Sequence, residues 1–294
     1  MSTANVYLLA IGANLAFSTS TIFFSYFSQK FSSFWINQAK VLIALTCFTI
    51  ATVVSDVWID LSLTSFLYLF LSGFMGLCFG DLMLFKAFPT LGPGRTLVMF
   101  SFGPLLVGLY SFLFLNQIFT FNQTLAVICM IACVFIFMLE KKGLSGSWQL
   151  KSFSFAFLGI LLDASGVILT RESYEYQADL HSFQVNIIRS LGAITGFILI
   201  RPRGYLEFFR STLSMESKDK LLLVGASIVG TFVSLSLYLA AVKHAHLGTL
   251  TSISITGPVW VSLIECIYYK RLPNFYLVSA FVFFLTGFYF MVNP

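Results

Sequence analysis

Charged side chains are scarce in this sequence. Asp, Glu, Lys and Arg make up 10% of the 294 residues, whereas hydrophobic residues make up 58% and the mean hydropathy is +0.89. A soluble domain carries about 25% charged residues, because its surface must be hydrated. The composition therefore excludes a soluble globular protein. The many apolar runs, each long enough to cross roughly 30 Å of hydrocarbon, predict a multi-pass membrane protein.

Alternation between polar and apolar residues is also missing. A transmembrane barrel needs it, in segments of about ten residues, so that one face meets lipid and the other meets the lumen. Stretches such as LAVICMIACVFIFML at Leu125–Leu139 are apolar throughout. Because lipid offers no hydrogen-bond partner to an open backbone, the spans must be helices. The predicted fold class is an all-α integral membrane protein.

Signatures of catalysis and of cofactor binding are absent as well. The five cysteines form no CxxC pair, and there is no phosphate-binding loop, GxSxG elbow or HExxH helix. The two imidazoles of HAH at His244–His246 are too few for a metal site. The formal net charge of +5 is explained by loop topology. We therefore predict no enzyme, no cofactor, no metal and no nucleic-acid partner.

Ten apolar segments are long enough to be transmembrane helices. Short connections join them, and the longest connection is Arg201–Lys220. The predicted spans cover residues 6–28, 34–55, 64–87, 92–115, 121–139, 153–173, 182–201, 220–243, 248–269 and 275–292.

The basic residues are distributed unevenly between the two sides of the membrane. Of the 17 Lys and Arg residues, Lys40 and Arg189 lie inside spans, and thirteen lie in or beside connections 1, 3, 5, 7 and 9. Only Arg171 and Lys243 lie on the side of the two termini. Basic residues favour the cytoplasmic side. The bias predicts a multi-pass protein of the cell (inner) membrane with both termini periplasmic or extracellular.

The second half of the sequence repeats features of the first half. The motif GRTLVMFSFGP at 94–104 recurs as GTLTSISITGP at 248–258, an offset of 154 residues. At an offset of 149 residues Lys40 meets Arg189, and the asparagines three residues before them also coincide.

Each repeat contains five predicted spans, and an odd number of spans inserts the second copy upside down. We therefore predict ten transmembrane helices built as two inverted five-helix repeats, residues 1–142 and 143–294, within one integrated transmembrane domain. Such repeats are typical of secondary transporters, which hold their substrate near the bilayer midplane.

These features resemble the drug/metabolite transporter superfamily, in its EamA-like ten-helix branch. The resemblance extends over nearly the whole chain. It rests on the five-plus-five architecture, on the basic residue early in each second span, Lys40 and Arg189, and on the Gly-Pro within each fourth span. It implies a transporter, with export of an amino acid or related metabolite as the leading expectation. Members commonly keep their termini in the cytoplasm, opposite to the bias of basic residues in this chain.

Ionisable residues within the predicted spans are the strongest candidates for function, because a charge at the bilayer centre costs on the order of 3 kcal/mol unless paired or hydrated. Asp163 lies near the middle of the sixth span. It is predicted to bind a substrate amine or to couple protons, and a structural ion pair with Arg189 is the alternative. Lys40 and Arg189 are predicted to bind a substrate carboxylate or to neutralise acids. Asp81 and Glu265 are further candidates for coupling.

The repeated Gly-Pro pairs predict hinges in two helices that line a central cavity. Proline removes one backbone amide, and the adjacent glycine leaves room for a neighbouring helix. A tolerated kink is the alternative. The predicted hinge residues are Gly103, Pro104, Gly257 and Pro258.

Uncharged polar and aromatic residues complete the predicted cavity. Thr251 and Ser254 share one face of the ninth span with Pro258 at helical spacing. Helix packing through hydroxyl groups is the alternative for this face. The remaining cavity candidates are Asn14, Asn37, Asn186, Tyr238 and Trp260.

Together these patterns predict a secondary transporter that moves a small organic metabolite, an amino acid or related amphiphile, by alternating access and in the direction of export. Its partners are then the small-molecule substrate, the lipid bilayer and, if Asp163 titrates, protons. The sequence does not specify the oligomeric state. A passive channel or pore for small solutes is the alternative, since channels can also contain inverted repeats.

Overall fold

The computed structural model describes residues 3–103, 106, 121–147, 149–244, 256–268, 270 and 272–292, and this part of the chain is helical without strands. Its helices are α1 Thr3–Ser28, α2 Ser33–Ser55, α3 Leu63–Leu91, α4 Pro93–Val98 with a 3₁₀ extension Met99–Phe102, α5 Phe121–Ser145, α6 Leu150–Tyr176, α7 Ser182–Ile200, α8 Gly204–Leu213, α9 Ser217–His244, α10 Thr256–Tyr268 and α11 Phe275–Val292.

Seven of these helices are long and apolar enough to cross a membrane, and α11 adds a shorter apolar stretch at Phe275–Gly287. The seven are α1, α2, α3, α5, α6, α7 and α9. The predicted all-helical membrane fold is therefore confirmed. The predicted spans 92–115 and 248–269 lie partly outside the described residues, so the predicted number of ten stays a prediction. The predicted boundary between residues 142 and 143 lies in the last turn of α5.

Two of the long helices contain a π-helical segment. In α3 it is Gly73–Gly80, and in α9 it is Ile228–Val233. A π-turn misaligns backbone hydrogen bonds, so freed carbonyls need another donor. The side-chain amide of Asn37 supplies it in α3, donating to the carbonyls of Leu77 at 2.8 Å and Cys78 at 3.1 Å.

Small residues let the central helices pack closely. A Cβ atom on Gly73 would overlap the backbone of Arg189 in α7, and one on Gly159 in α6 would lie 2.9 Å from the carbonyl oxygen of Gly80 in α3. Helix association in lipid depends on such close approach, because lipid provides no hydrophobic drive between helices. As a result α3 packs against both α6 and α7, and α1 packs against α9 and α10.

Helix α8 lies within the connection Arg201–Lys220, for which the sequence patterns predicted no helix. One side of α8 packs against the bundle, with Gly204 seated on the ring of Phe34 and Phe208 buried. The other side is exposed and includes Phe209 and Leu213, which are 58% and 78% exposed. This division into a buried and an exposed apolar side is typical of a helix that lies along the membrane interface.

A buried ion pair holds the start of α4 in place. Arg95 donates to both carboxylate oxygens of Glu140 in α5, and Asn274 donates to the same carboxylate at 2.7 Å just before α11 begins. Glu140 is only 2% exposed. The arrangement joins α4, α5 and α11 at the end of the bundle opposite to the N-terminus.

Candidate functional site

A cavity of about 100 Å³ lies among α1, α2, α3, α6, α7 and α9, with residues of α4 and the start of α10 also contributing to its wall. Most of its lining comes from the middle of the long helices, as expected for a midplane site. The residues that the sequence predicted and that line this cavity are Asn14, Lys40, Asp81, Asp163, Arg189, Tyr238, Gly257 and Pro258.

Lys40 and Asp81 form a buried ion pair in the cavity wall. The ammonium nitrogen of Lys40 lies 2.5 Å from an oxygen of Asp81, and the two residues are 4% and 8% exposed. The same ammonium group lies 5.1 Å from the centre of the Phe85 ring. Each charge therefore compensates the other, as a buried charge requires.

Among the described residues, Arg189 forms hydrogen bonds with uncharged groups and no salt bridge. Its Nε donates to the hydroxyl of Ser72 at 2.9 Å, and one terminal nitrogen donates to the side-chain oxygen of Asn186 at 3.5 Å. The residue is 1% exposed, and no carboxylate oxygen in the described part of the chain lies within 4.0 Å of its guanidinium. Ser72 is held in turn by donating to the Gly166 carbonyl at 2.6 Å. Arg189 is thus a positioned buried cation without a paired anion.

Asp163 is the matching anion without a paired cation. It lines the cavity from α6, and no Lys, Arg or His nitrogen of the described residues lies within 4.0 Å of its carboxylate. The alternative of a direct Asp163–Arg189 ion pair is therefore not seen in these ranges. Both groups approach Gly76: a Cβ atom there would lie 3.6 Å from Oδ1 of Asp163 and 3.8 Å from a terminal nitrogen of Arg189. A methyl group at position 76 would therefore contact both charged groups.

The opposite wall of the cavity joins α1 to the Gly-Pro pair of α10. A Cβ atom on Gly257 would lie 2.7 Å from both the side-chain oxygen of Asn14 and the hydroxyl of Ser18. Glycine at this position therefore lets two polar side chains of α1 approach the α10 backbone next to Pro258. The hydroxyl of Ser18 is buried and has no hydrogen-bond partner within the described ranges.

Three predicted cavity residues lie in the structure but do not line the cavity. Asn37 binds the π-segment of α3, and Asn186 positions Arg189 while donating to the carbonyl of Ser182 at 3.0 Å. Trp260 is 40% exposed and donates to the hydroxyl of Thr19 at 3.2 Å on the outside of α1.

Other predicted residues are only partly covered by the structure. Gly103 is buried at the end of the segment that follows α4. Pro104, Thr251 and Ser254 lie outside the described residues, and for Glu265 only its place in α10 is described. The corresponding expectations stay predictions.

Some residues of the site were not predicted from the sequence. Thr231 and Ser234 in α9 line the cavity, and Ser72 in α3 fixes the guanidinium of Arg189. A serine or threonine in a membrane helix usually bonds to its own helix, so its residue type gives little signal of a site. Thr231 belongs to the π-segment of α9, and this segment is recognised only in the structure.

Comparison with known proteins identifies this architecture. The sequence matches the model of the EamA-like transporter family over residues 4–139. Over this part, slightly less than half of its length, the chain resembles the EamA-like transporter family. The family is part of the drug/metabolite transporter superfamily, so the resemblance predicted from the sequence is confirmed. The match covers α1 through most of α5 and includes Lys40 and Asp81.

The fold is also similar to that of a protein of known crystal structure. The two share a TM-score of 0.68 at 14% sequence identity, and the alignment covers 98% of this chain and 96% of that chain. At this identity the likeness shows the fold alone. No curated protein matches the sequence.

Proposed function

We propose that this protein, which resembles the EamA-like transporter family over residues 4–139, is a secondary transporter for a small zwitterionic metabolite, such as an amino acid or a related amphiphile. The observation that carries the proposal is the presence of two opposite charges, Asp163 and Arg189, that line one cavity and form no direct salt bridge with each other or with another described residue. A substrate ammonium group bound to Asp163 and a substrate carboxylate bound to Arg189 would compensate both charges at once.

The cavity size favours a small substrate. Its volume of about 100 Å³ is well below the roughly 300–1,000 Å³ that sites for drug-sized ligands occupy. Apolar groups such as Phe17, Leu77 and Val167 also line it, which suits the aliphatic part of a metabolite. A drug-sized amphiphile would require a wider conformation than this one.

The proposed transporter consists of two inverted five-helix repeats. In support, the π-segments of α3 and α9 coincide at the offset of 154 residues that superposes Gly76 on Gly230. The contacts between the two halves are also symmetric. The first helix of the first repeat, α1, packs on α9 and α10 of the second repeat. Its counterpart α6 packs on α3 and on the 3₁₀ segment after α4 in the first repeat. Helices α2 and α7 pack on each other, as do α5 and α11. Such pairing is expected of elements related by a pseudo-two-fold axis.

Alternating access would proceed by movement of the two repeats around the charged site, with hinges at the Gly-Pro pairs. Pro258 lies in the cavity wall. The neighbouring Gly257 lets side chains of α1 approach the backbone of α10 closely. Pro258 lies in the first turn of α10, where its lack of a backbone amide costs no hydrogen bond within the described helix, so the proposed bend is at the start of α10. Energy would come from a gradient or from the substrate itself.

Orientation and direction complete the proposal: an inner-membrane exporter with both termini outside. The thirteen basic residues on the opposite side support this orientation. A C-terminal reporter that is active only in the cytoplasm should give no signal. A cytoplasmic signal would reverse the proposed orientation without affecting the site.

Transport into proteoliposomes tests the function. The purified protein should take up a radiolabelled mixture of small neutral amino acids with saturation, and unlabelled amino acid trapped inside should accelerate uptake by counterflow. A channel shows neither saturation at low concentration nor counterflow, so linear uptake without counterflow would favour a pore. Arg189→Gln, which removes the proposed carboxylate site, is the matched inactive control.

Coupling to protons would be carried by Asp163. Asp163→Asn should then abolish uptake driven by a pH gradient, because the site can no longer take up and release a proton. Full pH-driven uptake by Asp163→Asn would contradict both proton coupling through Asp163 and binding of the substrate ammonium group by Asp163.

A further inference from the structure

One wall of the charged cavity carries no charge. Helix α9 forms this wall and contributes Gly230, Thr231, Ser234, Leu235 and Tyr238. Because α9 packs mainly against α1, α2 and α7, whereas α3 packs against α6 and α7, the wall formed by α9 differs from the one formed by α3. The cavity holds only about 100 Å³, so a ligand that fills it and binds Asp163 and Arg189 also contacts α9.

Two hydroxyl groups in the α9 wall have no partner in the protein. Thr231 and Ser234 lie one turn apart and are 3% and 4% exposed. The hydroxyl of Thr231 is enclosed by protein atoms and has no hydrogen-bond partner within the described ranges. Ser234 makes no side-chain hydrogen bond to any described residue either, but its hydroxyl is not enclosed. Since Ser234 lines the cavity, its hydroxyl is accessible from there.

Other hydroxyl groups of the same helix are bonded to the backbone. Ser227 and Ser236 each donate to the carbonyl four residues back, at 2.7 and 2.6 Å. This is the ordinary bond of a serine or threonine within a membrane helix. Thr231 and Ser234 depart from it, and they lie in the π-segment Ile228–Val233 and directly after it. Segments of this kind are frequent at functional sites.

The chemistry of the α9 wall suits an uncharged, hydrogen-bonding group. A buried hydroxyl without a partner is destabilising, because it has lost its contact with water without gaining another. A ligand hydroxyl or amide restores that contact, whereas a methyl group does not. A charged ligand group finds no additional counter-ion, because Lys40 and Asp81, the remaining charged residues of the lining, are paired with each other.

We propose that Thr231 and Ser234 are the residues that recognise the side chain of the substrate. They select zwitterions with a short, uncharged hydroxyl or carboxamide side chain over apolar zwitterions of the same shape. The hydroxyl of Ser234 binds the ligand directly, and that of Thr231 binds it after rotation about the Cα–Cβ bond. This inference rests on the proposed function, in which Asp163 and Arg189 bind the two ionic groups.

The affinities of L-threonine and L-valine test the inference. The two amino acids have the same shape and differ by a hydroxyl in place of a methyl group. Isothermal titration of the purified full-length protein in detergent should show threonine binding about tenfold more tightly, the upper end of what one net hydrogen bond contributes. Equal affinities would overturn the side-chain site while leaving recognition of a zwitterion intact. If neither amino acid binds, the proposed function fails and this inference fails with it.

Substitutions in the α9 wall test the two residues separately. Ser234→Ala and Thr231→Val should each lower the affinity for threonine by about threefold to tenfold and leave the affinity for valine unchanged. Thr231→Ser keeps the hydroxyl and should keep the preference for threonine. An equal loss of affinity for both amino acids in Ser234→Ala and Thr231→Val would assign the hydroxyls to helix packing and would contradict the inference.

Two hydroxyl groups outside the cavity lining provide matched controls. Ser236→Ala removes a hydroxyl from the same helix, and Thr195→Val removes one from α7 that donates to the carbonyl of Leu191 at 3.0 Å. Both variants should bind threonine and valine in the same ratio as the unmodified protein. A loss of the threonine preference in these controls as large as in Ser234→Ala and Thr231→Val would overturn the assignment to the α9 wall.

Discussion

Helices α2 and α7, matched at an offset of 149 residues, hold their basic residues in opposite ways. Lys40 in α2 is compensated by Asp81 at 2.5 Å, whereas Arg189 in α7 donates to the neutral oxygens of Ser72 and Asn186 and has no carboxylate within 4.0 Å in the part of the chain that the structure describes. Both side chains are buried and both line the same cavity. The difference is that the charge of Lys40 is paired with a carboxylate, while the guanidinium of Arg189 is held by neutral groups and forms no salt bridge among the described residues.

The same two helices differ in their asparagines and in their N-caps. Asn37 binds carbonyls of a neighbouring helix, but Asn186 binds its own helix and Arg189. At the helix start, α2 is capped by the hydroxyl of Ser32 and α7 by the imidazole of His181. Each difference can be tested by substituting the equivalent residues in turn and comparing the effects of the two substitutions on stability or binding.

The largest effect is expected on breaking the ion pair. Asp81→Asn leaves Lys40 buried without an anion and should lower the free energy of unfolding by about 3–5 kcal/mol. Asp163→Asn removes a carboxylate that has no cation within 4.0 Å in the described part of the chain and should cost clearly less. Denaturant unfolding in detergent micelles measures both. Equal losses would mean that Asp163 is as much a structural residue as Asp81.

The next largest effect concerns the two asparagines. Asn37→Ala removes the donor of two carbonyls in the π-segment of α3 and should cost about 1–3 kcal/mol of stability, the range for unsatisfied buried polar groups. Asn186→Ala should cost less, because the Ser182 carbonyl belongs to the same helix and the contact with Arg189 is long. Both losses are measured in the same unfolding assay. A larger loss for Asn186→Ala than for Asn37→Ala would contradict this prediction.

A smaller effect is expected from a single methyl group between the proposed binding charges. Gly76→Ala fits without a clash, since its Cβ would lie 3.6 Å from Asp163 and 3.8 Å from Arg189. It should leave stability unchanged but weaken substrate binding by about tenfold, the lower end of what one methyl group changes in a fitted pocket. Isothermal titration measures the affinity.

Gly73→Ala is the control for that substitution. Its Cβ would overlap the backbone of Arg189, so we expect a lower Tm caused by displaced helices. If Gly76→Ala instead loses stability to the same degree as Gly73→Ala, the space at Gly76 serves packing and not binding.

The smallest effect is a pH dependence confined to α7. Burial, followed by the charge of Lys243, lowers the pKa of His181 from its ordinary value of 6.5. The folded state therefore binds a proton less readily than the unfolded chain, and stability should fall slightly as the pH decreases through and below 6.5. The protonated imidazole can no longer accept the amide hydrogen of Phe183, a bond of 3.3 Å in the neutral state.

Replacing the cap separates this effect from other titrating groups. His181→Ser gives α7 the cap that α2 already has, so the decrease in Tm below pH 6.5 should become smaller. A Tm profile identical to that of the unmodified protein would assign the pH dependence to other residues.

Much of this fold follows from the sequence alone, because apolar length predicts membrane helices directly. The structure places α1, α2, α6, α7 and α11 close to the predicted boundaries. Lys40, Asp81, Asp163 and Arg189 could be selected as cavity residues since an ionisable group in a span needs a partner or a hydrated site.

Features that depend on tertiary contacts could not be predicted. The choice of Asp81 over Asp163 as the partner of Lys40 depends on how α2 and α3 cross. The carbonyls of a π-segment need hydrogen-bond donors from other helices, such as Asn37, and these contacts are not visible in the sequence. The apolar composition of Gly73–Gly80 is also the same as that of a regular membrane helix. Helix α8 was missed because its charges resemble those of an ordinary loop.

The most direct measurement of the central claim compares ligands that differ in one charge. The affinities of α-amino acids and of the corresponding carboxylic acids without the amine are measured on the unmodified protein and on Asp163→Asn. The unmodified protein should prefer the zwitterion, and Asp163→Asn should lose about 30-fold or more for the zwitterion, as expected when a buried charge loses its partner, while its affinity for the acid stays the same. Equal binding of both ligand types by the unmodified protein, or an unchanged affinity of Asp163→Asn for amino acids, would contradict recognition of a zwitterion by Asp163 and Arg189.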